Sequence, residues 1–320
     1  MQLTKAVIGP ELDRFETYYH DFLQSRVPLM DRVMQYLADR RGKQLRPMFV
    51  LLCARLGGAA TERSYRAALL VELLHTASLV HDDLVDDSMK RRGAYSVNAL
   101  WNNKMAVLMG DQLFSGGLVM SLENEDYRIL KIYSSAIRQM VESELLQIVK
   151  SNKISWQEDA YYETIQAKTA SFLAAACAAG AASVFTDEDS IQRLHSFGEK
   201  VGMAFQIKDD LFDYGSADVG KPTGNDIKEK KITLPLIYTL NNCTAPLRKK
   251  LLHAIKYEHT DKETIAWIIE EVIKTGGIGY AEEKMAVFRH EAMQLLYSFP
   301  ASPVRDALEE LVVFTTDRNK

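Results

Sequence analysis

The sequence has few of the residues that interrupt helices. Its 320 residues include 8 prolines and 17 glycines, whereas 47% are hydrophobic. Apolar residues recur at helical spacing nearly throughout, and no convincing run alternates as a strand would. A chain of this length often forms two domains, but no proline- or glycine-rich linker divides it. We therefore predict an all-α protein that folds as a single domain over residues 1–320.

Cysteine and excess positive charge are also scarce. The three cysteines, Cys53, Cys177 and Cys243, show no CxxC spacing and cannot all pair. We expect them to be reduced core thiols, as in a cytoplasmic protein. With 39 basic and 43 acidic residues, the net charge of -4 argues against a general nucleic-acid-binding protein.

The chain also lacks an obvious membrane or export segment. Its amino terminus has neither the basic nor the apolar block of a signal peptide. The longest lipid-like run, residues 172–185, is too short to cross a bilayer. We therefore expect a soluble chain with no membrane span.

Four carboxylates crowd into six positions of the stretch HTASLVHDDLVDDSMKRRG, residues 75–93. On a helix, Asp82 shares a face with Asp86, and Asp83 shares one with Asp87, so their charges repel unless a cation lies between them. The apolar residues before them have helical spacing, which predicts a buried helix that ends in the carboxylates. A divalent cation is the expected partner, and a solvated acidic helix end is the alternative.

A second cluster repeats this arrangement in FQIKDDLFDY, residues 205–214. Asp209, Asp210 and Asp213 again follow an apolar run, with one carboxylate pair four residues apart. Two such clusters can converge on one group of cations. Hard oxygen ligands favour magnesium or manganese over zinc.

Several cationic residues are candidates for binding an anion. Lys43 and Arg46 precede or begin a helix in RRGKQLRP, where positive charge opposes the helix dipole unless an anion is bound. Arg91 and Arg92 carry the planar guanidinium that suits phosphate oxygens. His75 lies two turns before Asp82. The alternatives are solvated surface charge for Lys43 and Arg46, and ion pairs with the aspartates for Arg91 and Arg92. For His75 the alternative is a core residue.

Two further segments carry candidate residues. Lys168 and Thr169 lie in a helical run of small side chains, where a ligand or another helix could approach closely. A hydrogen bond to a preceding carbonyl and a solvated lysine are the alternatives. The long glycine-bearing loop at 215–235 contains Lys221 and Lys231, which could close over an anion. A disordered surface loop is the competing interpretation.

Taken together, these residues resemble the trans-isoprenyl diphosphate synthases, or polyprenyl synthetases. The resemblance rests on five motifs in order: GKQLRP at 42–47, HDDLVDDSMKRRG at 81–93, KTA at 168–170, FQIKDDLFD at 205–213 and GKPTGNDIKEKKITLP at 220–235. It implies a single helical bundle of the isoprenoid synthase type around a deep central cavity. It also implies a cytoplasmic prenyltransferase, commonly a homodimer, that extends an allylic diphosphate with isopentenyl diphosphate.

The resemblance also implies roles for individual residues. It assigns three magnesium ions, with manganese as an alternative, to Asp82, Asp86 and Asp209, supported by Asp83, Asp210 and Asp213. It assigns the allylic diphosphate to Arg91, Lys168 and Lys221, and isopentenyl diphosphate to Lys43, Arg46, His75 and Arg92. Thr169 and Gln206 would stabilise the allylic cation. No side chain is assigned as the base, since the departing diphosphate is expected to take the proton.

Two positions depart from the family pattern, because Ser143 and Lys230 stand where glycine is usual. They put cavity shape and loop closure in doubt rather than the reaction. Three rival interpretations remain. One is a class I terpene cyclase, one is a catalytically weak partner subunit of a heteromeric synthase, and one is a plain metal-binding helical protein.

Product length follows from the residues beneath the first aspartate. Family members that stop early carry bulky aromatics where this chain has Ala77 and Ser78. A tunnel could therefore pass Leu74 and Val71 towards Ala67, roughly 22 Å below Asp82, at about one isoprene unit per helical turn. Tyr133, on a neighbouring predicted helix, is the candidate floor.

We expect a medium- or long-chain enzyme, such as the octaprenyl diphosphate synthases, with a product of about 35 to 50 carbons that suits a quinone side chain. We expect release of this product to a membrane. A shorter product of about 20 to 30 carbons is the alternative.

Overall fold

The computed structural model describes residues 1–40, 42–91, 93–150, 156–215 and 224–317, without the side chains of residues 147, 148 and 150. Helices account for 81% of the residues, which confirms the all-α prediction. The first eight helices are α1 (Gln2–Leu23), α2 (Pro28–Asp39), α3 (Leu45–Gly57), α4 (Glu62–Val85), α5 (Val97–Leu100), α6 (Asn103–Glu123), α7 (Tyr127–Lys150) and α8 (Glu158–Ile165).

A π-helical turn, Gln166–Ala170, follows α8. The remaining helices are α9 (Ser171–Ala182), α10 (Glu188–Phe212), α11 (Asn225–Lys228), α12 (Leu234–Asn242), α13 (Ala245–Tyr257), α14 (Lys262–Lys274), α15 (Gly277–Tyr297) and α16 (Pro303–Thr316).

Two short strands are present although the sequence shows no alternating run. β1 (Lys90–Arg91) pairs antiparallel with β2 (Ala94–Tyr95). Gly93 lies between them with a φ of +78°, a conformation that glycine adopts without strain. Strands of two residues are too short to show alternation, which is why periodicity did not reveal them.

Helix boundaries also differ from the predicted ones. Helical periodicity predicts the first helix over about 11–25, but it begins at Gln2 and continues through Pro10, with a non-helical Ile8 (φ -123°) before the proline. The same periodicity predicts a helix over about 62–88 that carries the first acidic cluster, but this helix ends at Val85. Its start is fixed by Thr61, whose backbone N–H donates to Oγ of Ser64 (3.0 Å).

By its internal contacts the chain divides into two compact units. The first comprises Met1–Ser135, Ala175–His195 and Phe299–Leu308, and the second comprises Ala136–Ala174, Ser196–Ser298 and Glu309–Lys320. The expected single domain over 1–320 stays a prediction, as does the deep central cavity.

Helix α4 is the centre of the first unit, where it packs against α1, α3 and α6. It is buried on all sides through its middle turns, as predicted from its apolar run: Ala67, Ala68, Leu69, Leu70, Val71, Leu73 and Leu74. The buried Asp126 accepts hydrogen bonds from Arg63 (2.9 Å) and Arg66 (2.6 Å) near the start of α4. This pairing compensates the cost of burying a carboxylate.

In the second unit, α12 packs against α8, α14 and α15. One of its apolar clusters joins α8 to the π-helical turn and to α10 through Tyr161, Ala170 and Ile207. The unit therefore holds the Lys168–Thr169 pair and the second acidic cluster on elements that share one core.

Gly202 of α10 permits a close approach between α10 and the π-helical turn. A Cβ atom placed there would lie 2.5 Å from Cα of Ala170, the last residue of the π-helical turn. A side chain at 202 would therefore push the turn that carries Lys168 and Thr169.

Helix α6 is long and apolar enough to cross a membrane by length and composition, and a third of its apolar window is buried. Core helices of soluble proteins satisfy the same criterion. The expected lack of a membrane span stays a prediction.

We predict that Gly202→Ala destabilises the protein, because overpacking against the Ala170 backbone costs about 1–3 kcal/mol. Gly279→Ala in α15 is the matched control, since a Cβ there meets no atom within 4 Å. Alanine there should be neutral or stabilise the helix by up to about 1 kcal/mol. Urea unfolding measures both, and equal stabilities would contradict the proposed close approach.

Candidate active site

The first acidic cluster straddles the end of α4. Asp82 lies in the last turn of the helix, and Asp86, the first residue after it, donates its backbone N–H to the Asp82 carbonyl (2.8 Å). Both side chains are exposed. The predicted pairing of Asp83 with Asp87 on a helical face is wrong, because Asp87 lies beyond the helix with a φ of +48°.

Asp83 differs from its neighbours because it is buried, with 5% of its surface exposed. Nε of Arg91 donates to its Oδ1 at 2.7 Å, so the short hairpin places a guanidinium against this carboxylate. The ion pair considered as an alternative for Arg91 is therefore present. Arg92 lies outside the described residues.

Arg46 and His75 meet although they lie on different helices. Nη1 of Arg46 is 3.0 Å from Nε2 of His75, and both side chains are partly buried. Since a guanidinium can only donate, Nε2 of His75 is the acceptor in this hydrogen bond. Lys43 is exposed just before α3. The structure thus joins two of the predicted isopentenyl diphosphate residues.

In the second unit, a chain of hydrogen bonds runs through Gln206. The hydroxyl of Thr169 donates to Oε1 of Gln206 at 2.7 Å, and Nε2 of Gln206 donates to Oδ1 of Asp210 at 2.8 Å. The phenol of Tyr161 donates to the other oxygen, Oδ2, at 2.7 Å. Both Asp210 oxygens are therefore bonded to neutral donors.

Asp210 is deeply buried, with 6% of its surface exposed. Burial raises its pKa to about 7, and the charges of Asp226 and Asp209 act in the same direction. The hydrogen bonds from Tyr161 and Gln206 oppose this rise. A nearby cation would favour the ionised form further.

Asp213, the first residue after α10, accepts hydrogen bonds from the backbone at the start of α11. Its Oδ1 accepts the backbone N–H of Asn225 (2.8 Å), and its Oδ2 accepts that of Asp226 (3.0 Å). Its own carbonyl accepts the N–H of Gly224 (3.0 Å). Partial burial raises the pKa of Asp213, and these three bonds oppose the rise. The carboxylate thus closes the base of the long loop.

The described part of the loop after Asn225 carries several charged residues. Burial, and then the charge of Asp213, raise the pKa of Asp226 to about 6, while the charge of Lys231 lowers it. Lys231 also pairs with Glu229 at 2.5 Å. Lys230, at the position where the family has glycine, adopts a φ of +57°, which explains the usual glycine. Lys221 lies outside the described residues.

Lys168 lies on the π-helical turn and is exposed. Its Nζ donates to Oε2 of Glu144 on α7 at 2.6 Å. Ser143, the other departure from the family pattern, immediately precedes this glutamate. The lysine is therefore held by an ion pair rather than left to solvent.

The predicted chain-length residues lie in the first unit. Leu74 and Ala77 are buried on α4, and Ser78 is partly buried with its hydroxyl bonded to the His75 carbonyl (2.9 Å). Tyr133 is fully buried, and its hydroxyl donates to the Ala67 carbonyl at 3.1 Å. Tyr133 therefore contacts α4 at Ala67, while its role as the floor of a tunnel stays a prediction.

The donor chemistry of the aspartates fits magnesium. Within the part of the chain that the structure describes, no three His, Cys, Asp or Glu side chains converge to hold a metal by themselves. Magnesium is usually held by one or two carboxylates together with water and substrate phosphates, not by an all-protein cage. The exposed Asp82 and Asp86 and the partly exposed Asp209 suit that mode. That the two clusters face one another stays a prediction.

Sequence reasoning missed Tyr161 and Asp226 as residues that touch the acidic cluster. Tyr161 lies in no motif, and only its position two turns before Lys168 hints at a shared face. Asp226 lies within the fifth motif, but its presence there did not by itself indicate a contact with Asp213.

We predict that Asp213→Ala frees the start of α11, because two backbone N–H groups lose their acceptor. Hydrogen exchange at Asn225 and Asp226 should accelerate by about tenfold, the equivalent of about 1.4 kcal/mol. Asp261→Ala is the control. It removes a similar cap from α14, where Asp261 accepts the Thr264 N–H at 2.8 Å. Unchanged exchange at 225 and 226 would show that the clamp is unnecessary.

Comparison with protein families identifies one match. The polyprenyl synthetase family model covers residues 27–272, a span that includes all five motifs. Among curated proteins, the heptaprenyl diphosphate synthase component 2 of Geobacillus stearothermophilus is 33% identical over 316 residues, covering 98% of this chain and 95% of that protein. The octaprenyl diphosphate synthase of Escherichia coli is 31% identical over 301 residues and 93% of each chain.

Solved structures agree with the fold. The polyprenyl synthase of Caulobacter crescentus, complexed with calcium and isoprenyl diphosphate, is 33% identical with a TM-score of 0.91, over 100% of this chain and 98% of that one. The geranylgeranyl pyrophosphate synthase of Bacteroides thetaiotaomicron is 36% identical with a TM-score of 0.85, over 99% and 98%.

Proposed function

We propose, since the chain belongs to the polyprenyl synthetase family and is a prenyltransferase, that it condenses isopentenyl diphosphate head to tail onto an allylic diphosphate with the help of Mg²⁺. The observation that carries the proposal is the match over residues 27–272, which holds both acidic clusters and the cationic motifs in order. The calcium and isoprenyl diphosphate bound by the Caulobacter crescentus protein support this choice of ligands.

The first step is loss of the allylic diphosphate. When bound, magnesium would stabilise negative charge on this leaving group. Asp82, Asp86 and Asp209 are the proposed ligands, with Asp83, Asp210 and Asp213 in support. Arg91 and Lys168 would add positive charge to the same group. Asp83 and Glu144, their present partners, hold these cations in place until the diphosphate arrives.

The second step is attack by the isopentenyl double bond on the allylic cation. Lys43, Arg46 and His75 would hold the isopentenyl diphosphate, together with Arg92. Thr169 and Gln206 would stabilise the cation through the negative ends of their dipoles, which act most strongly where water is excluded. The proton leaves to the departed diphosphate, so no side-chain base is needed.

The proposed product contains about 35 to 50 carbons, the length of a quinone side chain. The absence of an aromatic residue at Ala77 and Ser78 supports this length, and so do the heptaprenyl and octaprenyl names of the curated relatives. We further propose a cytoplasmic homodimer that releases its product to a membrane.

A product of about 20 to 30 carbons is the second candidate, and the buried Tyr133 favours it. Its hydrogen bond to Ala67 supports a floor at that depth, roughly 22 Å below Asp82 along one continuous helix, where about four isoprene units would fit at one per turn. The geranylgeranyl name of one structural neighbour agrees with this length. A longer product requires the tunnel to continue past Tyr133.

The purified chain tests the proposal directly. With labelled isopentenyl diphosphate, Mg²⁺ and a series of allylic primers, chromatography should show elongation that EDTA abolishes and Mg²⁺ restores. A terpene cyclase would instead consume an allylic diphosphate without isopentenyl diphosphate. A partner subunit of a heteromeric synthase, a relationship suggested by the component 2 relative, would be inactive alone. Either result would overturn the proposal.

The shorter candidate predicts that Tyr133→Ala lengthens the longest product by at least one isoprene unit, because the substitution removes the floor, whereas the longer proposed product predicts no change in length. Tyr133→Phe keeps the ring and loses only the bond to Ala67, so its product should match the wild type. The alanine variant should lose about 3–5 kcal/mol of stability, which thermal unfolding measures. An unchanged product from a folded Tyr133→Ala variant would place the floor elsewhere.

A further inference from the structure

Tyr161 lies at the end of a hydrogen-bond chain that leads to Thr169 and Gln206. We propose that Tyr161 is a positioning residue: by holding one oxygen of Asp210, it fixes the Gln206 amide in the orientation that receives the Thr169 hydroxyl. This inference rests on the proposed function, since it concerns the two residues assigned to the allylic cation.

The orientation of the amide follows from donor and acceptor rules. Asp210 as a carboxylate can only accept, so the end of Gln206 that faces it must be the NH₂ group. A flipped amide would place its carbonyl oxygen against the carboxylate and its NH₂ group against Thr169. The observed orientation instead points the Gln206 carbonyl oxygen at the Thr169 hydroxyl. Asp210 therefore decides which end of the amide Thr169 meets.

Asp210 can perform this task only if its own carboxylate is held still. It is buried, so water does not compensate for a missing donor, and a buried polar group without a partner is costly. The Tyr161 hydroxyl supplies the donor for Oδ2 at 2.7 Å and leaves Oδ1 to Gln206. Without the hydroxyl, the carboxylate would turn towards Gln206 as its remaining described donor.

The ring of Tyr161 is fixed by packing rather than by its hydroxyl. It is buried in the apolar cluster with Ala170, Met203 and Ile207, and it makes an edge contact with the ring of Tyr162 at 5.5 Å. Phenylalanine therefore fits the same space. The substitution Tyr161→Phe removes one donor and leaves the core intact.

The chain of bonds holds in fixed positions the oxygen atoms of Gln206 and Thr169, which are the negative ends of their dipoles. Oxygen atoms held in place before the reaction stabilise a developing charge without the cost of reorganising them. A loosened amide would lose this advantage in the transition state while leaving substrate binding alone. The expected signature is a lower kcat with unchanged KM.

The next residue, Tyr162, provides the matched control. Tyr162 has the same phenol on the same helix, but its hydroxyl donates to Glu158 at 2.9 Å, away from the chain of bonds through Asp210. We expect Tyr161→Phe to lower kcat by about tenfold, and Tyr162→Phe to change it by less than about twofold. The KM for isopentenyl diphosphate should stay constant in both variants.

Two measurements separate positioning from other roles. In a Thr169→Val background, Tyr161→Phe should have less than about twofold further effect, because residues in one network are not additive. Calorimetric Mg²⁺ binding, measured with inorganic diphosphate and without turnover, should equal that of the wild type. Weaker Mg²⁺ binding, with kcat restored at high Mg²⁺, would instead make Tyr161 a support for a metal ligand and overturn the inference.

A second variant, Asp210→Asn, tests the same network if Tyr161→Phe does not fold. Asp210→Asn replaces one of the two carboxylate oxygens with an NH₂ group, so one of the positions to which Tyr161 and Gln206 now donate no longer accepts, and it should lower kcat in the same way. An active wild type in which both variants match Tyr162→Phe would overturn the positioning role alone. A wild type without condensation activity would overturn the proposed function, and with it the role of this network in that reaction.

Discussion

The energetic cost of removing carboxylates from water is the constraint on which the site depends. In each acidic cluster, the second aspartate is buried and bound by the protein itself. Arg91 holds Asp83, while Tyr161 and Gln206 hold Asp210. The aspartate before each of them is more exposed to solvent. Each cluster thus divides its carboxylates between those that fix the local structure and those available to a ligand.

The ends of two helices make this division possible. Helix α4 stops at Val85 and α10 stops at Phe212, so the last aspartate of each cluster lies outside its helix. Asp213 then caps the next helical segment, and Asp86 continues the turn begun at Asp82. Because a helix end frees side chains from the strict facial spacing, four carboxylates on one short segment need not all repel one another across a single face.

The sequence predicted the parts of this arrangement that depend on pattern. The apolar run before Asp82 correctly predicted a buried helix, and Arg46 and His75, assigned to one substrate, do meet. It did not predict contacts made by residues outside any motif. Tyr161 contacts Asp210 where α8 and the π-helical turn pack close to α10, with Gly202 beside Ala170, and such packing has no period in the sequence.

The division of carboxylates also bears on how metal and substrate arrive. Since the described part of the chain offers no complete metal cage, any magnesium must complete its coordination with water or with diphosphate oxygens. Binding of the ion and of the allylic substrate would then be mutually dependent, because each supplies ligands or charge that the other lacks. Carboxylates bound by Arg91 or Tyr161 cannot leave these donors without exposing a buried polar group. Under the proposed function, such a site would bind magnesium more tightly together with diphosphate than alone.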